Sequence, residues 1–292
     1  MKEKIKIVLR LVLGIAFIFS AYTKLIAPGV VEIILIDQGI ISTREIAAVL
    51  VRLLISLEFA IGFLFFQQNL LRKLVIPCSL FFLIGFSLYL LYTGLILGDN
   101  QNCGCFGEVI KLNPIESLIK NIFFIFLVLW LYKLERIDKH NFFIPATILF
   151  VSILGVFLLL PIKSADNFQF SHFIQFEDHG RVDLSTGEKF IGVINTDCNH
   201  CREMVKEIMS LSKNYSDYPE FFFLVFSDGS VGIDSFKTLT DFNFPYHIID
   251  INEFFDLIGQ APPRIYYLAD GIVKEIWDDD FGTKLKMFLS SK

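Results

Sequence analysis

The sequence predicts an α-helical membrane bundle of about five spans followed by an α/β domain. Three observations carry that expectation. The 292 residues are 54% hydrophobic with 33 Phe, and the mean hydropathy is +0.58, well above the soluble average. The apolar residues cluster into five segments before residue 161. After about residue 165 the texture becomes mixed and charged, and apolar runs of strand length alternate with helical patterns.

The five segments lie near 5–27, 46–66, 74–97, 116–133 and 142–160. Each is long enough, or nearly so, to cross a hydrocarbon core that needs about 20 helical residues. "APGV" reads as a turn after the first segment, and "LNPIES" as the start of the fourth. There Asn113 suits a cap, Pro114 the first helical position, and Glu116 the reciprocal bond of a capping box. The expected organisation is a four-helix membrane domain over 1–135, a fifth helix and linker over 136–164, and a soluble domain over 165–292.

Basic residues orient the bundle. Lys2, Lys4, Lys6, Arg72, Lys73, Lys133, Arg136 and Lys139 fall on one side, against Arg44 and Lys111 in the connectors on the other. The positive-inside rule then places the N-terminus in the cytoplasm of a multi-pass protein of the inner (plasma) membrane. Five crossings deliver residues 98–115 and the C-terminal domain to the periplasmic or extracytoplasmic side. The basic start of the first segment also allows a cleaved signal peptide. The apolar run passes through "FSAYTKLIAP" without a clean small-x-small site.

In the C-terminal part, "KFIGVIN" and "EFFFLVFS" read as buried strands flanking the helical pattern "CREMVKEIMSLSKNY". A polar helix follows around 233–242. Then come the strand "YHIID", "PRIYYL", a turn at Asp270-Gly271 and "IVKEIW", which suggest an antiparallel pair closing the sheet.

The net charge of −5 and the lack of a basic cluster give no basis for nucleic-acid binding. There is no phosphate-binding loop, no hydrolytic triad and no convincing metal site. Four of the five cysteines form two tight pairs, Cys103/Cys105 and Cys198/Cys201, a pattern of redox or metal chemistry. By the charge rule both pairs face the same compartment, outside the cytoplasm.

Cys198 and Cys201 follow a strand and open a helix. Free N–H groups and the macrodipole at a helix N-terminus stabilise a thiolate, so Cys198 is the candidate nucleophile. Two intervening residues put Cys201 one helical turn away, in reach as the resolving thiol. His200 adds positive charge between the sulfurs and Asp197 acts in the opposite sense. A zinc half-site and a structural disulfide are the competing readings; a second ligand pair at zinc-finger spacing is absent from this region.

Cys103 and Cys105 flank Gly104 just beyond the third span. A disulfide closed across one residue forms a small strained ring, which raises its reduction potential and suits it to receive electrons from an incoming dithiol. Glu58 stands near the middle of the second span, where a carboxylate is costly. It is a candidate for proton handling, or a structural partner of Lys24 or Arg52. Cys78 reads as an inert packing thiol, and the stripes "FFLIGF" and "NIFFIF" as lipid-facing or packing surface.

Residues 185–290 resemble the thioredoxin-like fold. The resemblance rests on the strand-to-helix cysteine pair and on "APPRIYYLADGIV", which looks like that family's proline-strand-turn-strand segment. It implies that Pro263 is the cis-proline beside the cysteines. The family's usual tryptophan before the first cysteine is replaced by Asp197. Residues 5–135 resemble the DoxX/MauE group of redox-associated membrane proteins through "FSAYTKLIAP", "LEFAIGF", and "CGCFG" followed by "NPIESLIKNIF". That group includes methylamine-utilisation protein E, associated with maturation of a disulfide-rich periplasmic dehydrogenase. The plan is also similar to four-helix membrane thiol oxidases of the vitamin K epoxide reductase type, which pass electrons to a quinone.

The expected function is a membrane-bound thiol–disulfide oxidoreductase. It relays electrons between Cys198/Cys201 and Cys103/Cys105 and supports disulfide formation in cysteine-containing clients of the outer compartment. No covalently bound cofactor is expected, and a membrane quinone is the candidate acceptor. Two alternatives stand beside it: reductive flow toward outer disulfides, and a membrane-tethered assembly factor without turnover.

Overall fold

The computed structural model describes residues 2–96, 113–135, 139, 141–162, 170–213, 219–227, 231–259 and 261–290. The chain divides into two compact units, Met1–Ile162 and Lys163–Lys292. The Cys103/Cys105 pair lies outside the described residues, as do Lys111 and Arg136 of the charge argument.

The first unit is a helical membrane bundle. Its elements are α1 (Lys2–Ile26), α2 (Pro28–Asp37), α3 (Arg44–Leu64), α4 (Ile76–Leu91), α5 (Pro114–Leu134) and α6 (Phe143–Leu159). Short π-helical turns at Leu71–Val75 and Tyr92–Ile96 extend α4 at both ends, so the apolar span runs from Leu71 to Gly94. Among the described residues four spans are long and apolar enough to cross a membrane, and α6 adds a shorter apolar helix of 17 residues. Helix α6 sits at the low end of the length a bilayer core requires.

Two local signals act differently. The capping box at α5 forms: Glu116 N–H donates to Asn113 Oδ1 at 2.8 Å, and Asn113 N–H donates to Glu116 Oε2 at 3.1 Å. "APGV", by contrast, does not remain a turn. Pro28 takes an opening position of a further helix, α2, because its missing N–H and fixed φ suit a first helical turn.

Helix α1 packs on α3, α5 on α4, and both α2 and α6 on α3. The first contact depends on two facing glycines. A β-carbon on Gly62 would lie 3.0 Å from the Gly14 carbonyl oxygen and 2.7 Å from Ile18 Cγ1. Small residues let helices approach closely in lipid, where apolar surface alone gives no preference for a neighbour over a lipid tail.

The second unit is a thioredoxin-like α/β domain. Its elements are β1 (Gln175–Phe176), β2 (Gly180–Arg181), β3 (Glu188–Asn195), α7 (Asn199–Ser212), β4 (Glu220–Phe226), α8 (Ile233–Thr240), β5 (Tyr246–Ile248), α9 (Ile251–Leu257), β6 (Arg264–Ala269), β7 (Ile272–Trp277) and α10 (Phe281–Ser290). The main sheet has the order β5-β4-β3-β6-β7. Strands β3, β4 and β5 run parallel, and β6 and β7 complete the sheet antiparallel. The β6–β7 turn uses Asp270 and Gly271 at φ 50° and 73°, the positive values a tight hairpin requires.

Strand β3 is central and covered on both faces: Phe190, Ile191, Val193 and Ile194 are all fully buried. This explains its unbroken apolar run. On one face Met204, Val205 and Ile208 of α7 share a core with Phe236 of α8, Leu285 of α10, Phe190, Phe223 and Ile265. Elsewhere Phe254 of α9 stacks on Phe226 of β4, with ring centroids 4.9 Å apart.

Candidate redox site

Strand β3 ends at Asn195, and a short turn through Thr196 and Asp197 leads into α7. The turn is held on several sides. The Asp197 amide donates to Asn195 Oδ1 at 2.8 Å, Thr196 Oγ1 donates to the Val231 carbonyl at 2.6 Å, and the Arg202 guanidinium donates to the Thr196 carbonyl at 3.1 and 3.2 Å. Cys198 is thereby fixed at the N-cap of α7.

An N-cap side chain normally accepts from an orphan amide of the first turn. Here the acceptor is sulfur: Cys201 N–H donates to Cys198 Sγ at 3.3 Å. Cys201 is fully buried, and its Sγ accepts from the Asn195 amide at 3.5 Å. Neither cysteine is disulfide-bonded in this structure. The arrangement is asymmetric in access, because Cys198 is only partly covered.

The same asymmetry appears in the acidities. The thiol of Cys201, hydrogen bonding to the Cys198 sulfur, is the largest influence holding Cys198 down, to about 7 from an ordinary 9.0. Burial opposes this shift, while the Cys201 and His200 amides and the His200 charge reinforce it. Burial pushes the Cys201 thiol well above its ordinary value, and the neighbouring Cys198 sulfur adds to the rise. One thiol is thus set to ionise near neutrality, and the other to stay protonated until the first has reacted.

The Pro262–Pro263 peptide is cis. Cys198 Sγ lies 3.8 Å from the Pro262 carbonyl oxygen, so the loop before β6 closes over the partly exposed sulfur. Immediately after Pro263, the buried Arg264 makes a two-pronged bond to Asp278, at 2.6 and 2.9 Å. That pair anchors the start of β6 and went unnoticed in the sequence, where the two residues are 14 positions apart.

Other candidates fall elsewhere. The His200 side chain is 84% exposed and stands 3.8 Å from Glu203. It touches the site through its charge and backbone amide only. Glu58 is in the membrane unit and is paired: Lys24 Nζ donates to both carboxylate oxygens, at 3.0 and 3.1 Å. Arg52, the other partner considered, instead binds Glu32 at 2.8 Å and the Leu160 carbonyl at 2.7 Å. Cys78 lies in the first turn of α4, exposed on the bundle surface.

Protein TlpB of Flavobacterium psychrophilum is 29% identical, with 75% of this chain and 75% of that protein covered. Residues 2–134 match the family model described as methylamine utilisation protein MauE, a range that begins with α1 and ends at the last residue of α5. Over residues 2–134 the membrane part of this chain is thus similar to the MauE family, and a domain of thioredoxin-like arrangement follows it.

Proposed function

We propose that the protein is a membrane thiol–disulfide oxidoreductase that oxidises client thiols outside the cytoplasm. A client thiolate attacks the Cys198–Cys201 disulfide, forming a mixed disulfide with Cys198 and releasing Cys201. The client's second thiolate resolves it, leaving an oxidised client and reduced Cys198/Cys201. Cys198 then attacks a Cys103–Cys105 disulfide, and Cys201 resolves that adduct. Two electrons and two protons thereby reach the loop pair, which passes them to a membrane quinone, giving a quinol and restoring the loop disulfide.

The observation that carries this reading is the Cys198 sulfur itself. It is partly exposed, held at a helix N-cap by an amide, lowered in pKa to about 7, and backed by a buried second thiol. A structural disulfide has no need of a stabilised thiolate. The match of the membrane part to the MauE family supports placing thiol chemistry at a bilayer. In this reading the N-terminus lies in the cytoplasm of the inner membrane, and the second unit outside.

The test is to trap the relay. In a Cys105→Ala variant, Cys103 is expected to accumulate a mixed disulfide with Cys198 or Cys201, visible by non-reducing electrophoresis and peptide mapping. Cys103→Ala gives the complementary adduct if Cys105 is the entry sulfur. Absence of an adduct in both variants across a redox titration removes the relay.

A further inference from the structure

The membrane bundle contains a pocket that the thiol chemistry leaves unexplained. It opens among α1, α3, α4 and α5 and has about 460 Å³ of empty space, counting its mouth. Its apolar wall carries the rings of Phe17, Phe82, Phe86 and Phe124. Its polar wall carries Ser20, Lys24, Glu58, Lys120 and Asn121.

The polar groups are not equivalent. Lys24 directs its ammonium to Ser20 Oγ at 2.8 Å and to both oxygens of Glu58, so its charge is already neutralised. Asn121 is 4% exposed, and its Nδ2 has no hydrogen-bond partner among the described residues. A buried donor without an acceptor is costly, and more so in a bilayer than in water. A ligand that brings an acceptor to this amide removes that cost.

The walls define the rest of the ligand. Phe82 and Phe86 are nearly parallel, with centroids 6.2 Å apart, and Phe17 meets Phe82 edge-on at 6.2 Å. Aromatic walls favour a flat ring, in offset or edge-to-face contact. The paired Lys24 and Glu58 favour a neutral molecule over an anion, since Glu58 faces the same space.

We infer that this pocket binds a flat, neutral ring bearing carbonyl oxygens, of the quinone class, with Asn121 Nδ2 donating to one carbonyl. The inference rests on the reading that a quinone takes the electrons, and it gives that acceptor a location. Asn121 is seven residues into α5, about 10 Å of helix from Pro114. The segment carrying Cys103 and Cys105 joins the bundle at that same end of α5.

Binding is tested on the full chain in nanodiscs by calorimetric titration with menadione and ubiquinone-1. Saturable binding is expected, weakened about tenfold by Asn121→Leu, as loss of one buried hydrogen bond implies. Without ligand, the melting temperature of Asn121→Leu is expected to match or exceed that of the parent, because an unsatisfied amide has been removed. Should Asn121→Leu fail to fold, Asn121→Ala serves the same comparison. No saturable binding, unchanged affinity in the variant, or equal competition by farnesol or phosphatidylglycerol would overturn the inference. Binding is also measured in Cys103→Ser/Cys105→Ser protein, where it is expected to persist. Binding without thiol-to-quinone transfer in the parent sinks the relay and leaves the pocket standing. Transfer that is indifferent to Asn121→Leu sinks the pocket and leaves the relay standing.

Discussion

The most direct prediction concerns how Cys198 is activated. The hydrogen bond from the Cys201 thiol is the largest influence lowering its pKa to about 7. At pH 7 about half of Cys198 is then thiolate, against about 1% for a thiol ionising at 9.0. A less basic thiolate is also a weaker nucleophile, by about eightfold over two pKa units, so the net rate advantage is about sixfold. Cys201→Ala removes the thiol donor but keeps the backbone amides of residues 200 and 201. A hydrogen bond to a charged group contributes about 1.5–3 kcal/mol, equivalent to about one to two pKa units. The alkylation midpoint of Cys198 is therefore expected to rise to about 8 or higher.

The assay is the pH dependence of iodoacetamide labelling, read by peptide mass spectrometry. It is done in a background where Cys78, Cys103 and Cys105 are serine, which leaves Cys198 and the buried Cys201 in the parent and Cys198 alone in the Cys201 variants. Cys201→Ser keeps a hydroxyl donor and is expected to fall between the parent and the alanine variant. A parent midpoint near 9, or a midpoint that stays near 7 in Cys201→Ala, refutes the argument. The sign extends to stability. A depressed folded pKa favours the folded, reduced domain fully above pH 9, and that contribution is lost as pH falls through 7. The raised Cys201 acts in the opposite sense at high pH.

Two further outcomes concern the bundle. Lys24→Leu leaves the Glu58 carboxylate buried and unpaired, at a cost of about 3–5 kcal/mol; combining it with Glu58→Leu should recover most of the loss, as measured by thermal unfolding in detergent. Full recovery by the double variant with quinone binding intact would make the ion pair purely structural. Gly62→Ala places a methyl against the Gly14 carbonyl and Ile18 and is expected to cost about 1–3 kcal/mol. Gly85→Ala has open space around its new methyl and should not destabilise the bundle. Equal melting temperatures for the two variants would show that the close approach of α1 and α3 is dispensable.

The sequence by itself determined the features written within one window of chain. Runs of apolar residues set the spans to within a few residues, because a bilayer demands about 20 of them in succession. Asn113-Pro114 and Glu116 announced the start of α5, since a capping box is a contact over three residues. The place of Cys198 between a strand and a helix was likewise legible, as was the alternation of strands and helices around it. The shortest elements, β1 and β2, were not, because two residues carry no periodicity.

Only the tertiary structure decided which distant groups meet. Arg52 and Lys24 were equally plausible partners for Glu58; packing of α1 on α3 selected Lys24, across 34 residues, and left Arg52 to Glu32 and the end of α6. The Pro262 carbonyl reaches Cys198 across 64 residues because β3 and β6 are neighbours in the sheet. Asn121 gave no signal in an apolar helix until four helices enclosed it beside four other polar side chains. The physical reason is common to all three. Local pattern fixes which face of an element is apolar, whereas the choice of partner depends on which faces the fold brings together.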